Sequence, residues 1–385
     1  MAVALGTRRR RSVGGLAVGH RLRDFDPYML ITTLVLMAFG VVAIWSASGR
    51  EALTPGNLGV KQALYGVLGL VVMALVAGFD YRFFASFAWL IYGVGIASLV
   101  LVLLKGEVVA GAQRWFLIGP LSVQPSEFTK LATIIALAAF VSSRGSAMRE
   151  LGNFVVSLGI VLVPMALVFQ QPDLGTTLVH GVIWVSMMLV TQTRRLYFVI
   201  MGILAGPAFL FAWEFVFQAY QRRRLLVSYN PDLDRLGEGY NILQARISIG
   251  SGGWLGAGLG GGSQSQLEML KVRESDFIFA HVSGMFGFLG MLALFASFVI
   301  LLWRCLRVVE TARDSFGQCL AVGVSGVMFF QAFVNIGMNV GLMPVTGITL
   351  PFVSAGSSSV WTFLMAQGIL QSILMRHRKL AFQPT

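Results

Sequence analysis

Ser275-Asp276-Phe277-Ile278-Phe279-Ala280 ends a polar, glycine-rich stretch and opens an apolar run that continues to Trp303. Such a run exceeds the roughly 20 apolar residues needed to cross a hydrocarbon core of about 30 Å. The rest of the chain is built in the same way. Of 385 residues, 56% are hydrophobic and 12% are charged, and the mean hydropathy is +0.76. A water-soluble fold has too little room to hide that much apolar side chain. The reading is an all-α polytopic membrane protein. About ten transmembrane helices are expected, near 28–48, 60–79, 83–104, 127–143, 152–170, 175–193, 196–218, 277–303, 315–340 and 355–375.

The basic residues orient these spans, because Lys and Arg in short loops stay cytoplasmic. Arg8 to Arg11, Arg21 and Arg23 precede the first span, and Arg82 follows the second. Arg144 and Arg149 follow the fourth, Arg194 and Arg195 the sixth, Arg304, Arg307 and Arg313 the eighth, and Arg376, Arg378 and Lys379 the tenth. Both termini are therefore expected in the cytoplasm, with residues 1–27 a basic cytoplasmic segment that can touch anionic lipid. Much of the net charge of +12 is this topological signal, so no nucleic-acid partner is expected. The first apolar run is too long for a signal-peptide core and reads as an uncleaved span. Cys305 and Cys319 fall on the cytoplasmic side, where a structural disulfide is not expected. The four histidines, His20, His180, His281 and His377, have no zinc-ligand spacing. With no internal repeat, residues 1–385 read as a single membrane domain with one long extracytoplasmic loop, 219–275, between helices 7 and 8.

That loop breaks the positive-inside pattern with Arg222, Arg223, Arg224, Arg235, Arg246, Lys271 and Arg273. It reads either as a solvated cationic loop near headgroups or as a site for an anionic substrate, which arginine can grip with paired hydrogen bonds. Its run from Gly250 to Gly262 contains fragments of nucleotide-binding glycine loops but follows no βαβ unit. Such glycines instead allow close approach of backbone to a ligand or the bilayer surface, and Trp254 suits an interfacial anchor. Further polar groups lie at the outer span ends, where ionisable residues are costly and mark function. They are Gly111-Ala112-Gln113-Arg114-Trp115, Gln124-Pro125-Ser126-Glu127-Phe128-Thr129-Lys130, and Gln171-Pro172-Asp173-Leu174-Gly175-Thr176. Glu127 and Lys130, three apart on a helix, can pair, either as a structural ion pair or in contact with substrate. Asp173 after a proline reads as a helix cap.

These clusters continue through Gly239-Tyr240-Asn241-Ile242-Leu243-Gln244, Gln264-Ser265-Gln266, Ser275 to Ala280, and Pro344-Val345-Thr346-Gly347-Ile348-Thr349-Leu350-Pro351-Phe352-Val353-Ser354. In order and spacing the series resembles the SEDS family (shape, elongation, division and sporulation), the bacterial peptidoglycan polymerases of RodA and FtsW type. The Pro344 to Phe352 run looks closer to the elongation-type RodA. The resemblance implies glycan-strand polymerisation from lipid II at the outer face of the cytoplasmic membrane, with undecaprenyl diphosphate leaving. Asp276 matches the family's catalytic aspartate. A carboxylate beside an apolar run loses hydration and becomes a better base, a shift that nearby arginines oppose. Lys130, Arg114 and Arg246 are candidate cations for the diphosphate, with Glu127 orienting Lys130. Mg2+ or Mn2+ bridging the phosphates is a further expectation, although no ligand motif names its site. The expected partner is a class B penicillin-binding protein, whose transpeptidase crosslinks the strands.

The chain departs from the family where two consecutive glutamates usually follow the aspartate, positions held here by Gly284 and Met285. Near the last span, Ser354-Ala355-Gly356-Ser357-Ser358-Ser359 replaces Ser-Tyr-Gly-Gly-Ser-Ser; the serines suit close helix packing. Two readings of other classes stay open. One is a lipid II flippase or other transporter, for which an intramembrane Glu127/Lys130 pair would line the path. The other is a non-catalytic scaffold for a penicillin-binding protein.

Overall fold

A computed structural model describes residues 24–48, 56–109, 112–119, 121–234, 237–260 and 273–376. Gly111, Arg235, Gln264 to Gln266, Lys271 and most of the basic N-terminal segment lie outside the described residues. The helical elements are α1 (Pro27–Ala47), α2 (Leu58–Gly78), α3 (Ala88–Lys105), α4 (Pro125–Arg144), α5 (Leu151–Gln170), α6 (Leu174–Leu189) and α7 (Arg195–Phe211). They continue with α8 (Ala219–Tyr229), α9 (Glu238–Ser251), α10 (Ile278–Thr311), α11 (Ser315–Asn339) and α12 (Ser357–Met375). Among the described residues, nine helical segments are long and apolar enough to cross a membrane, and α6 is a shorter apolar helix of 16 residues. This agrees with the expected ten spans, each within a few residues except α7, which ends at Phe211 before a π-helical turn, and α10, which runs on to Thr311. Helices are the answer to a medium with no water to hydrogen-bond, since each satisfies its own backbone.

Local chemistry sets the helix ends. Asp26 caps α1, its carboxylate accepting from Tyr28 N at 3.0 Å and Met29 N at 3.2 Å. Asp314 does the same for α11, accepting from Gly317 N at 2.8 Å, and Pro residues open α1 and α4. At the far end of α2, Arg376 donates to Ala77 O at 3.1 Å and Gly78 O at 2.6 Å, covering carbonyls the helix leaves unpaired. This is one end of the bundle, where Arg304 pairs with Asp26 at 2.5 Å and Arg82 with Asp314 at 3.1 Å. In the bundle, α12 packs along α2, α1 along α10, and α11 against α4, α6 and α10. Burial grades outward: α12 is buried along most of its length, and α7 along none of it.

Two features go beyond a plain helix bundle. Between α3 and α4 the chain forms a small antiparallel sheet, β1 (Glu107–Val109), β2 (Ala112–Ile118) and β3 (Leu121–Val123), in the order β1-β2-β3. The β2–β3 hairpin pairs Ile118 with Leu121, and Gly119 supplies the positive φ of +60° that so short a connection requires. The second feature lies in the expected long loop, which is largely structured. α10 is interrupted at Gly287, where φ is +62°, and the glycine segment after α9 is spliced into the break. Ala257 N donates to Gly284 O at 2.9 Å, Phe288 N to Gly253 O at 2.8 Å and Leu289 N to Trp254 O at 3.1 Å. A Cβ on Gly256 would collide with Met285 O, and one on Gly287 with Gly256 N. The glycines thus permit a close approach, as their composition suggested, but the surface approached is the backbone of α10.

Candidate active site

Asp276 lies in the turn Arg273–Phe277 that enters α10. Its main chain is held from two sides. From α11, Asn339 Nδ2 donates to Asp276 O at 3.0 Å and Asn335 Nδ2 at 3.2 Å. Asn339 Oδ1 also accepts from Ala280 N at 3.1 Å, and Asn335 Nδ2 reaches Ile348 O at 2.8 Å. From the segment before α12, Ser354 Oγ donates to Ser275 O at 2.7 Å and Ala355 N to Glu274 O at 2.8 Å. Both asparagines are fully buried and sit four apart on one face of α11. They are the positioning residues that the sequence reading missed; two amides at helical spacing in an apolar span were the available signal.

The carboxylate makes one described side-chain hydrogen bond, accepting from Ser275 Oγ at 3.2 Å. The Pro344 to Phe352 motif passes directly beside it: a Cβ on Gly347, whose φ is +72°, would stand 3.9 Å from Asp276 Oδ2. Asp276 keeps part of its surface open, yet its surroundings are dense enough for desolvation to dominate, raising its pKa to about 6. The Ser275 hydrogen bond and the positive charge of Arg224 pull in the opposite direction, while Asp173 and Glu274 add to the rise. The result is a carboxylate ionised near neutrality with more basicity than an exposed aspartate.

The other sequence clusters converge at this end of the bundle. Asp173 caps α6, accepting from Thr176 N and Thr176 Oγ1, both at 3.0 Å. Its charge reaches Asp276. Gly175 brings α6 against the motif, with a Cβ there 2.5 Å from Thr346 O. Arg114, on β2, clamps the α5–α6 corner by donating from Nε to Gln171 O at 2.7 Å and from Nη2 to Pro172 O at 2.5 Å. Its Nη1 lies 3.5 Å from Asp173 Oδ2. The three serines expected only to pack closely also hydrogen-bond. Ser357 Oγ donates to Ser122 O at 2.8 Å, Ser358 Oγ accepts from Gln124 N at 2.9 Å, and Ser359 pairs with Thr349 at 2.9 Å.

Glu127 and Lys130 form the expected ion pair, 2.8 Å apart, and both are buried. The Lys130 ammonium stands 5.7 Å from the centre of the Phe363 ring, on the wall of an apolar cavity of about 10 Å³ lined by α4, α11 and α12. It faces the bundle core. Arg246 is exposed on α9 and donates to Gly341 O at 3.3 Å, a cation at the C-terminal end of α11. Thus Asp276, Asp173 and Arg114 share one site, Glu127 and Lys130 brace the helices beneath it, and Arg246 serves the end of α11. Several buried polar atoms on α4, α6 and the α5–α6 corner have no protein partner: Ser126 Oγ, Glu127 Oε2, both amide atoms of Gln171, and His180 Nε2. Buried atoms of this kind mark a place for water or a polar ligand. No group of three His, Cys, Asp or Glu side chains that could hold a metal ion occurs among the described residues.

Residues 27–379 match the family model for the FtsW, RodA and SpoVE cell cycle proteins. The peptidoglycan glycosyltransferase MrdB of Escherichia coli K12 is 36% identical over 357 residues, covering 92% of this chain and 94% of that protein. The peptidoglycan glycosyltransferase RodA of Treponema pallidum is 32% identical, covering 92% and 98%. Among solved structures, a chain of a peptidoglycan synthase complex that coordinates polymerization and crosslinking superposes with a TM-score of 0.78 at 26% identity, covering 92% of this chain and 98% of that one. The rod shape determining protein RodA of Thermus thermophilus gives 0.66 at 25% identity, covering 91% and 96%. With the family model matched over residues 27–379 and the fold shared with these structures, this chain belongs to the SEDS family of FtsW, RodA and SpoVE proteins and is RodA-like.

Proposed function

We propose that the chain is a lipid II polymerase for cell elongation and shape, with Asp276 as its general base. The observation that carries this reading is a carboxylate made basic by its surroundings, fixed by its backbone from α11 and the Ser354 turn, and passed closely by Gly347. In glycosyl transfer, Asp276 takes the proton of the acceptor 4-hydroxyl as that oxygen attacks the anomeric carbon of the donor sugar. The bond from that carbon to the diphosphate breaks, and undecaprenyl diphosphate leaves with the electron pair. One carboxylate suffices because the leaving group is already good, whereas inverting glycosidases need a second acid to protonate a poor one. Gly284 and Met285, at the usual glutamate positions, contribute backbone contacts to the glycine segment, so the mechanism uses no carboxylate there.

Arg114 lies 3.5 Å from Asp173 and the charge of Arg224 reaches Asp276, and we assign to these two cations the neutralisation of the diphosphate. Lys130 supports that wall through its pair with Glu127 without touching the reacting atoms. An all-protein metal cage does not fit the described residues; Mg2+ or Mn2+ would be carried by the diphosphate oxygens. The active site faces outward from the bacterial inner membrane, in line with the arginine-rich opposite end. A class B penicillin-binding protein is the partner, a reading supported by the fold shared with a chain of the polymerising and crosslinking complex. The test is chain growth on purified lipid II, with and without a class B partner carrying an inactive transpeptidase. Polymer is expected. Partner-dependent crosslinking without chain growth would favour the scaffold, and lipid II translocation without chain growth the transporter.

A further inference from the structure

On leaving the bundle, α7 passes through a π-helical turn, Ala212–Val216, into α8. Arg222 folds back over that turn, donating from Nη2 to Glu214 O at 2.7 Å and from Nε to Phe217 O at 3.1 Å. One residue on, Arg223 reaches Asp234 at 3.1 Å. Arg222 and Arg223 stand on the wall of an open-sided cavity of about 430 Å³, with Phe217, Leu226, Val227 and Leu233 supplying its apolar lining and no Asp or Glu among its described lining residues. A volume in this range suits a small ligand rather than scattered water. The neighbouring surface is apolar: α7 has no buried residue, and Phe209, Phe211 and Phe215 are exposed just before the turn.

We propose that this cavity binds an anionic phospholipid of the leaflet on the Asp276 side. Arginine offers the forked donors that match a phosphate diester, the leucines and Phe217 accept the start of an acyl chain, and the chain continues along the exposed face of α7. Asp234 is engaged by Arg223, and the described lining has no acid of its own to receive the ammonium of a zwitterionic headgroup, which selects an anionic one. A soluble phosphate would leave the apolar wall wet. Such binding also explains why three consecutive arginines interrupt the positive-inside pattern at this end. The site is not isolated from the chemistry. Val227, on the cavity wall, is buried in the small core that contains Phe277, the residue after Asp276, and Arg224 of the same helix reaches Asp276 through its charge. Lipid in the cavity braces α8 where it touches the active-site turn.

The experiment is native mass spectrometry of the full chain, comparing retention of phosphatidylglycerol and phosphatidylcholine with identical acyl chains. Wild type should retain the anionic lipid by about tenfold over the neutral one, a difference of about 1.4 kcal/mol. Arg223→Gln should remove the preference. Leu226→Trp, which keeps both arginines and changes an exposed side chain, should remove binding by filling the cavity. Equal retention of the two lipids by wild type, or a preference unchanged in both variants, would overturn the proposal. Undecaprenyl diphosphate displacing phosphatidylglycerol from wild type at equal concentration would assign the cavity to the substrate lipid and overturn the phospholipid.

Discussion

At the scale of single residues, desolvation is the chief cause that pushes the Asp276 carboxyl up from 3.8 to about 6. A base must be unprotonated, so polymerisation should fall about tenfold per pH unit below about 6 and level off above it, in a rate profile on saturating lipid II. The stability effect has the opposite sense. The folded state binds the proton more tightly than the unfolded state, so this group favours folding below pH about 4 and that contribution is lost as pH rises through about 6. Asp276→Asn should therefore unfold at a temperature equal to or above wild type at pH 7. Lys130 behaves differently. Removing one member of a buried ion pair strands the other charge, at a cost of about 3–5 kcal/mol. Lys130→Ala should then lower melting temperature and turnover together, and the combined Glu127→Leu, Lys130→Met change should restore the melting temperature. Unaltered melting of Lys130→Ala would instead make Lys130 a substrate contact. The Glu127–Lys130 pairing was legible because charge in an apolar run is conspicuous, whereas Asp276 was singled out chiefly by its match to the family motif. Asn335 and Asn339 were not, because an amide carries no charge to flag it, and the Arg246 contact with Gly341 depends on how α9 folds over the end of α11.

At the scale of elements, the spliced break in α10 is the least ordinary feature. Interrupting a membrane helix frees backbone groups that nothing apolar can satisfy, and here Gly253, Trp254 and Ala257 provide the missing partners. The nine-residue half-helix before Gly287 follows directly on the turn that holds Asp276, so the splice fixes the angle at which that turn is presented. Gly256 combines a φ of +77° with a blocked Cβ position, whereas Gly253 has a φ of +52° and open space. Gly256→Ala should cost about 2 kcal/mol or more and Gly253→Ala about 1 kcal/mol, compared by thermal unfolding in detergent. Equal effects would mean that the close approach is not a constraint. Hydropathy located the helices because a span needs a long apolar run. It gave no sign of the break, since Gly284, Gly287 and Gly290 look like ordinary small residues of a membrane helix. The β1–β3 sheet was missed because its strands are as short as three residues and lie between two dominant apolar runs.

At the scale of the whole molecule, the ten apolar helices among the described residues bring polar segments distant in sequence to one end, while the Arg82–Asp314 and Arg304–Asp26 pairs mark the other. That division is the reason charge patterning gave an orientation without any knowledge of packing. It predicts that Trp254→Cys, an exposed position beside the splice, reacts with a membrane-impermeant maleimide added outside intact cells, whereas buried Cys305 and Cys319 give no background. Labelling only after lysis would invert the topology and place Asp276 on the wrong side for strand synthesis. The central claim is that this bundle end is a glycosyltransferase centre with Asp276 as its base, and the most direct measurement is strand synthesis from purified lipid II by wild type and Asp276→Asn, both shown to be folded. The account predicts polymer from wild type and a loss of about 100-fold or more in the variant; polymer from Asp276→Asn at the wild-type rate would contradict it.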